Sequence, residues 1–248
     1  MYRSLDSDKT IQTLAKLNRR IGERFPASGL NEVCAELCAI ANENRDRVAR
    51  MSRPNYPLRV LVGAVVVVGV LVLVYSVSMM EISLGRINAV ELVQISEAAL
   101  NDIVLIGAAI FFLITVETRV KRARALEALH ELRSIVHVID MHQLTKDPGR
   151  VVDEVILTPS SPATQMSAYE MTRYLDYCSE MLSLTGKVAA LYAQNLKDAI
   201  VLSTVNELES LTTGLSRKIW QKIMIVHKLD EGAAANRPVP PAGSGATS

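Results

Sequence analysis

The sequence predicts an all-α integral membrane protein with a two-helix transmembrane hairpin and long cytoplasmic helices capable of coiled-coil association. Three observations predict this fold class. Residues 60–80 form an uncharged apolar run, and a second apolar run at 103–116 is bounded by charged residues. Residues 164–230 contain no proline and repeat apolar residues at steps of three and four, which is typical of packed helices.

The run at 60–80 defines the first predicted membrane helix, which we place at 58–80. Its 21 residues include no Asp, Glu, Lys, Arg or His. At a rise of about 1.5 Å per residue the run is about 30 Å long, which matches the hydrocarbon core of a bilayer. A helix that is apolar on every face favours lipid as its surroundings.

The second run, at 103–116, has 14 residues and would span about 21 Å as a helix. That length alone fits either a buried core helix or a short span. We predict a second transmembrane helix at 98–118, because residues 98–101 extend the apolar side by one turn and basic residues follow directly. A short acidic external loop at 81–97 joins the two spans.

Basic residues indicate the orientation of the hairpin. Five arginines lie between 45 and 59, four basic residues lie between 119 and 124, and Arg86 alone lies in the connecting segment. Cytoplasmic loops carry an excess of Lys and Arg, so we place both termini in the cytoplasm of a plasma membrane or bacterial inner membrane. The three cysteines then lie in a reducing compartment, which agrees with their lack of a disulfide pattern.

Residues 1–53 contain two cytoplasmic amphipathic helices, separated at Pro26 by a turn. Apolar residues at steps of three and four give each helix one apolar face. Two environments suit such helices: the membrane surface, or the C-terminal helices. We favour packing on the C-terminal helices, because Glu32, Glu36, Glu43 and Asp46 reduce the positive charge of the second helix.

The rest of the chain divides into four segments. We expect a membrane-proximal cytoplasmic helix at 119–145, a connector at 146–163, a long cytoplasmic helical region at 164–230 and a disordered tail at 231–248. The region 164–230 is too long for one straight helix in a domain of this size. Gly186 and the stretch 212–214 are therefore the candidate points at which it breaks or bends.

The apolar stripe of the region 164–230 must be buried against other helices, either of the same chain or of another subunit. This stripe predicts association with a homo-oligomer or a helical protein partner, in addition to the lipid bilayer. Its central members are Val205, Leu208, Leu211, Leu215 and Ile219.

Histidines and acids near the end of the membrane-proximal helix are weak candidates for a metal site. His130, His137, Asp140 and His142 include the imidazole and carboxylate groups that bind zinc, iron or manganese. The spacing of four that places two histidine ligands on one helical face is absent. We therefore expect these residues to form hydrogen bonds near the helix end, and we predict no metal and no other cofactor.

Two acidic residues lie at the outer end of the second predicted span. If hairpins assembled into a ring, Glu97 and Asp102 would line its outer mouth and would favour cations. The simpler interpretation is that Asp102 lies at the level of the lipid headgroups, where an exposed carboxylate costs little.

Composition and motifs exclude several classes of function. The aromatic content of 4% leaves little for stacking on bases, so nucleic acid is not an expected partner. No GxSxG, Walker loop, dinucleotide glycine pattern, HExxH or CxxC pair is present, so we predict no catalytic residues and no enzyme activity.

The function that the sequence favours is a membrane-anchored scaffold or signalling component whose cytoplasmic helices self-associate or recruit a partner. The first alternative is a pore-forming or ion-conducting homo-oligomer gated by the cytoplasmic helices. The second is a metal-dependent membrane enzyme that uses His130, His137 and His142.

Overall fold

The computed structural model describes residues 4–52, 56–79, 89–151 and 166–235, and within these ranges all regular structure is helical, as predicted. Most of the predicted connector, part of the predicted external loop and most of the predicted tail lie outside the described residues. The described elements are α1 (Ser7–Arg24), α2 (Gly29–Ser52), α3 (Tyr56–Met79), α4 (Ala89–Leu144), a 3-10 turn (Pro148–Val151), α5 (Ala168–Asn195) and α6 (Ala199–Ala235).

The chain divides into two compact units. Residues 1–49 and 126–248 form one unit, which we call the bundle unit, and residues 50–125 form the other, which we call the apolar unit. The division falls within α2 and within α4, so both helices contribute residues to both units.

In the bundle unit, α1 packs on α5. Asp6 caps the start of α1, where its carboxylate accepts hydrogen bonds from the backbone N–H groups of Asp8 and Lys9. Leu14, Leu17 and Ile21 are fully or almost fully buried. Of the two environments considered for the first amphipathic helix, the structure therefore places it on the C-terminal helices.

The C-terminal region forms a helical hairpin, and it turns at a position that we did not predict. The turn lies at residues 196–198, where the carboxylate of Asp198 accepts hydrogen bonds from the backbone N–H groups of Ile200 and Val201 and caps α6. The two candidate points for a break or bend, Gly186 and the stretch 212–214, lie inside α5 and α6, so neither divides the region.

Gly186 lies at the contact between the two helices of the hairpin. It is buried within α5, and a Cβ placed on it would lie 3.4 Å from Oγ1 of Thr212 on α6. This distance is an ordinary van der Waals contact, so the space at this level would accept an alanine. A glycine that is a candidate breaker in the sequence lies inside a continuous helix in the structure.

In the apolar unit, α3 contacts the first half of α4. A Cβ placed on Gly69 would lie 2.7 Å from Cγ1 of Ile106 and would also clash with its Cδ1 atom. Large apolar side chains on the outside of this unit are exposed: Leu105 is 68% exposed and Phe111 is 72% exposed. The packed pair of helices therefore keeps most of its apolar surface on the outside.

Among the described residues, one helical stretch is long and apolar enough to cross a membrane, within Ala99–Leu144 of α4, and its apolar window is not buried. Val60–Val72 of α3 is a shorter apolar stretch. The two-span hairpin stays a prediction. At the other end of the chain, α6 continues to Ala235, so the first residues of the predicted disordered tail are helical.

Candidate partner-binding surface

The predicted association stripe lies inside the bundle unit. Leu208 and Ile219 are fully buried, Val205 and Leu215 are at most 5% exposed, and Leu211 is half-buried. These residues lie on α6, which packs on α5 of the same chain. Intrachain packing of the hairpin therefore covers the stripe, and it does not form an open surface for a second chain.

A different side of α6 is open. Trp220, the single tryptophan of the chain, is 61% exposed, and Met224 lies one helical turn further along and is also exposed. Trp220 borders an open cleft of about 540 Å³, which we call the Trp220 cleft. Its apolar lining comes from Leu184, Trp220 and Ile223, and its polar lining from α1 and α5: Thr13, Asp176, Ser179, Glu180, Ser183 and Lys187.

The two acids of the Trp220 cleft already have cationic partners. The carboxylate of Glu180 accepts hydrogen bonds from both terminal nitrogens of Arg20, at 2.9 and 3.3 Å. The carboxylate of Asp176 accepts one from Arg173 at 2.9 Å. The Lys187 ammonium, in contrast, donates to Oγ of Ser183 at 2.7 Å and makes no ion pair within the described part of the chain.

Arginine and tyrosine side chains line a second cleft, between α1 and α5. Arg20 and Arg173 place their guanidinium groups 5.2 and 5.1 Å from the ring centre of Tyr177, and Arg24 stacks on Tyr169 at 5.2 Å. Each arginine on Tyr177 is also paired with a carboxylate. Because two of the three arginines are paired with carboxylates, we interpret this cluster as a contact that ties α1 to α5.

The four candidate metal ligands do not converge. His130 and His137 are exposed, and the carboxylate of Asp140 accepts a hydrogen bond of 2.6 Å from the side-chain amide of Gln143. Over the ranges that the structure describes, no three His, Cys, Asp or Glu side chains form a group that could hold a metal ion. The expectation of hydrogen bonding near the end of the helix fits Asp140 and His142.

His142 is half-buried at a junction of three helices. Its ring lies against Gly29 of α2, where a Cβ would be 2.5 Å from Cε1, and its Nδ1 lies 3.4 Å from the hydroxyl of Tyr174 on α5. Burial, and secondarily the charge of Lys146, lowers the pKa of His142 below its ordinary value of 6.5. His142 therefore takes up a proton at a lower pH than an exposed histidine does.

A lysine of α6 binds backbone carbonyl groups at the same end of α4. The ammonium of Lys222 donates hydrogen bonds to the backbone carbonyls of Gln143 at 2.8 Å and Lys146 at 3.2 Å. The last carbonyls of a helix lack partners and carry partial negative charge, so a cation stabilises them. Burial lowers the pKa of Lys222, although the charges of Asp140 and Asp147 oppose this effect.

The remaining predicted residues lie apart from these features. Glu97 is exposed and Asp102 half-buried in the apolar unit. In the bundle unit, Cys34 and Cys178 are buried and Cys38 is half-buried. Burial raises the pKa of Cys178 to about 12, so this thiol is neutral.

Sequence reasoning missed the open side of α6 and one buried polar pair. The indole of Trp220 lies off the apolar stripe, and this offset was a readable signal of an exposed aromatic residue. The hydroxyl of Tyr192 donates a hydrogen bond of 2.8 Å to Oδ1 of Asn44, which is fully buried. Because the two residues are 148 positions apart, no local pattern connects them.

Comparison of the chain with models of known protein families, with curated proteins and with solved structures finds no match.

Proposed function

We propose that this protein is a non-enzymatic, membrane-anchored scaffold or signalling component whose bundle unit binds a helical partner or another copy of the chain. The apolar unit supports the anchor. Side chains such as Leu105 and Phe111 are exposed on its outside, which in water would be an unusually large apolar surface. Lipid is the solvent in which such a surface is stable.

The bundle unit supports the binding role. Its own apolar stripe is buried, so the unit has a complete core without a partner. It nevertheless exposes Trp220 beside an open cleft, and tryptophan is enriched among the residues that dominate binding at protein interfaces. A helical body that exposes a large aromatic residue beside an open cleft is suited to binding.

Two measurements on the full chain test this proposal. We expect the protein to remain in membranes washed with alkaline carbonate, and tags on the two termini to report the cytoplasmic side. Release of the protein by carbonate would contradict the anchor, and tags in opposite compartments would contradict the hairpin.

The binding role has its own control. Trp220→Ala should weaken association of the bundle unit with a helical partner or with another copy of the chain. Tyr169→Ala, which removes an exposed aromatic residue on α5, should not weaken it. Equal effects of the two substitutions would contradict a binding role for the Trp220 side of α6.

A further inference from the structure

We propose that the Trp220 cleft and the adjoining side of α6 form a two-fold interface with a second copy of this chain, in which Glu209 of each copy pairs with Lys187 of the other. This inference deepens the proposed function by naming the partner and the surface. It depends on the bundle unit being the part of the protein that associates.

Lys187 and Glu209 lie at similar levels along the α5–α6 hairpin. Gly186 of α5 lies against Thr212 of α6, so these residues share a level. Lys187 is one residue beyond Gly186, and Glu209 is three residues before Thr212. Because the two helices run in opposite directions, both steps lead toward the turn at 196–198. At about 1.5 Å per residue, Lys187 and Glu209 lie within about 3 Å of one level.

Lys187 and Glu209 are both exposed on the surface of the single chain. Neither makes an ion pair within the described residues, in contrast to Asp176 and Glu180 of the same surface, which are paired with arginines. Among the described residues, one acid and one base without an ion-pair partner therefore lie at one level of the surface that carries the exposed Trp220.

We consider a dimer in which a two-fold axis relates the two copies of the chain. A two-fold axis parallel to the bundle helices keeps every residue at its own level and brings the same surface of both copies together. Glu209 then meets Lys187 of the partner subunit, and the contact occurs twice. Trp220 is eleven residues, or about 17 Å, beyond Glu209 along α6, so it lies away from the charge pairs and beside the cleft.

The proposed interface combines an apolar centre with a charged edge, as stable protein interfaces do. Trp220 and Met224 supply exposed apolar area, the cleft supplies a concave floor formed by Leu184 and Ile223, and the charge pairs lie at the side. An unrelated protein would not be expected to match both charges at the same level. A second copy matches them by symmetry.

Charge reversal tests the proposal in the full chain, reconstituted in lipid nanodiscs, with the oligomeric state read by mass photometry. We expect the unmodified chain to be a dimer. Glu209→Lys and Lys187→Glu should each weaken dimerisation at least about tenfold, because each creates two like-charge contacts. Lys218→Glu, which reverses an exposed charge on another side of α6, should leave the dimer intact.

The decisive experiment mixes the two single variants. One chain with Glu209→Lys and one with Lys187→Glu form two opposite-charge contacts when they pair, so the mixture should yield a heterodimer although each variant alone does not dimerise. Differently tagged chains report the heterodimer directly. An ion pair within one chain would stay broken in both variants, and mixing would then restore nothing.

Three other results would contradict the interface or the anchor role. A monomeric unmodified chain that still resists carbonate extraction would overturn the interface and leave the anchor role intact, with a different protein as the occupant of the cleft. A dimer that is unaffected by both charge reversals and by Trp220→Ala would place the interface elsewhere. A chain that is soluble without lipid would contradict the anchor role, and the mixing experiment in solution would still test the interface.

Discussion

The two units of this protein use apolar residues in opposite ways. In the bundle unit, α6 turns Leu208 and Ile219 inward, where they are fully buried. In the apolar unit, Leu105 and Phe111 face outward and are mostly exposed. The bundle unit therefore covers its own apolar stripe, whereas the apolar unit leaves large apolar side chains uncovered, which is the pattern expected of helices in lipid.

The largest expected effect is in the core of the bundle unit. Leu208→Ala should lower the free energy of unfolding by about 2–5 kcal/mol, because the substitution leaves a cavity in a packed core. Chemical denaturation of the detergent-solubilised chain, followed by circular dichroism, measures the effect. Leu202→Ala on the same helix is the control. Leu202 is 49% exposed, so its truncation should cost much less. Equal losses would contradict the burial of the stripe.

A charge on the outside of the apolar unit should instead act on membrane insertion. Phe111→Arg places a cation near the middle of the second predicted span, at a cost of about 3 kcal/mol. We expect a fraction of the chains to carry their C-terminal tag on the opposite side of the membrane, since α4 then fails to insert. Phe111→Leu is the matched control and should leave the tag in the cytoplasm. If arginine at this position changed neither topology nor extraction, the surroundings of α4 would not be lipid.

A smaller effect is expected at the buried polar pair of the bundle unit. Tyr192→Phe should destabilise the unit by about 1–2 kcal/mol, because Asn44 loses the donor of its buried hydrogen bond. Denaturation curves should show this loss. Tyr169→Phe removes a hydroxyl that accepts a hydrogen bond from Arg24 at an exposed site, so we expect almost no change. A silent Tyr192→Phe variant would mean that water replaces the hydroxyl.

The smallest predicted effect is a pH dependence from His142. Its pKa is lower in the folded chain than the ordinary 6.5, so the unfolded chain takes up a proton first as the pH falls. The stability of the bundle unit should therefore decrease below pH 6.5 and level off once the folded form is also protonated. Well above pH 6.5, where His142 is neutral in both the folded and the unfolded chain, it should contribute no pH dependence.

Melting temperatures at pH 7.5 and 5.5 measure this contribution. His142→Gln should reduce the difference between the two temperatures, while His137→Gln, at an exposed position on the same helix, should not change it. A difference that survives His142→Gln in full would assign the pH dependence to other groups.

Most of the helical architecture followed from local patterns. The uncharged run at 60–80 and the lack of proline and glycine from 119 to 145 predicted α3 and the continuous second half of α4, since helix periodicity and breakers act over a few residues. The burial of Leu208 was equally readable from its spacing. The sequence left open which helix would cover it.

The parts that were missed depend on contacts between distant segments. Gly186 looked like a breaker because its packing partner, Thr212, lies on the next helix. The true turn was marked by a step of five between Leu196 and Val201 and by the capping residue Asp198, which are weaker signals than a glycine. The offset of Trp220 from the apolar stripe indicated its exposure, but the cleft beside it could not be predicted, because it forms only once α1, α5 and α6 have packed together.

Cysteine labelling tests the central contrast most directly. In a chain without its own cysteines (Cys34→Ala, Cys38→Ser and Cys178→Ala), a single cysteine replaces either Leu105 in the apolar unit or the exposed Ser203 of α6 in the bundle unit. Membrane vesicles with the cytoplasmic side outward are then treated with a water-soluble maleimide. We predict that the cysteine at 203 reacts in intact vesicles and that the cysteine at 105 reacts only after the lipid has been removed and the chain unfolded. Equal labelling of both positions in intact vesicles would contradict the assignment of the apolar unit to the bilayer.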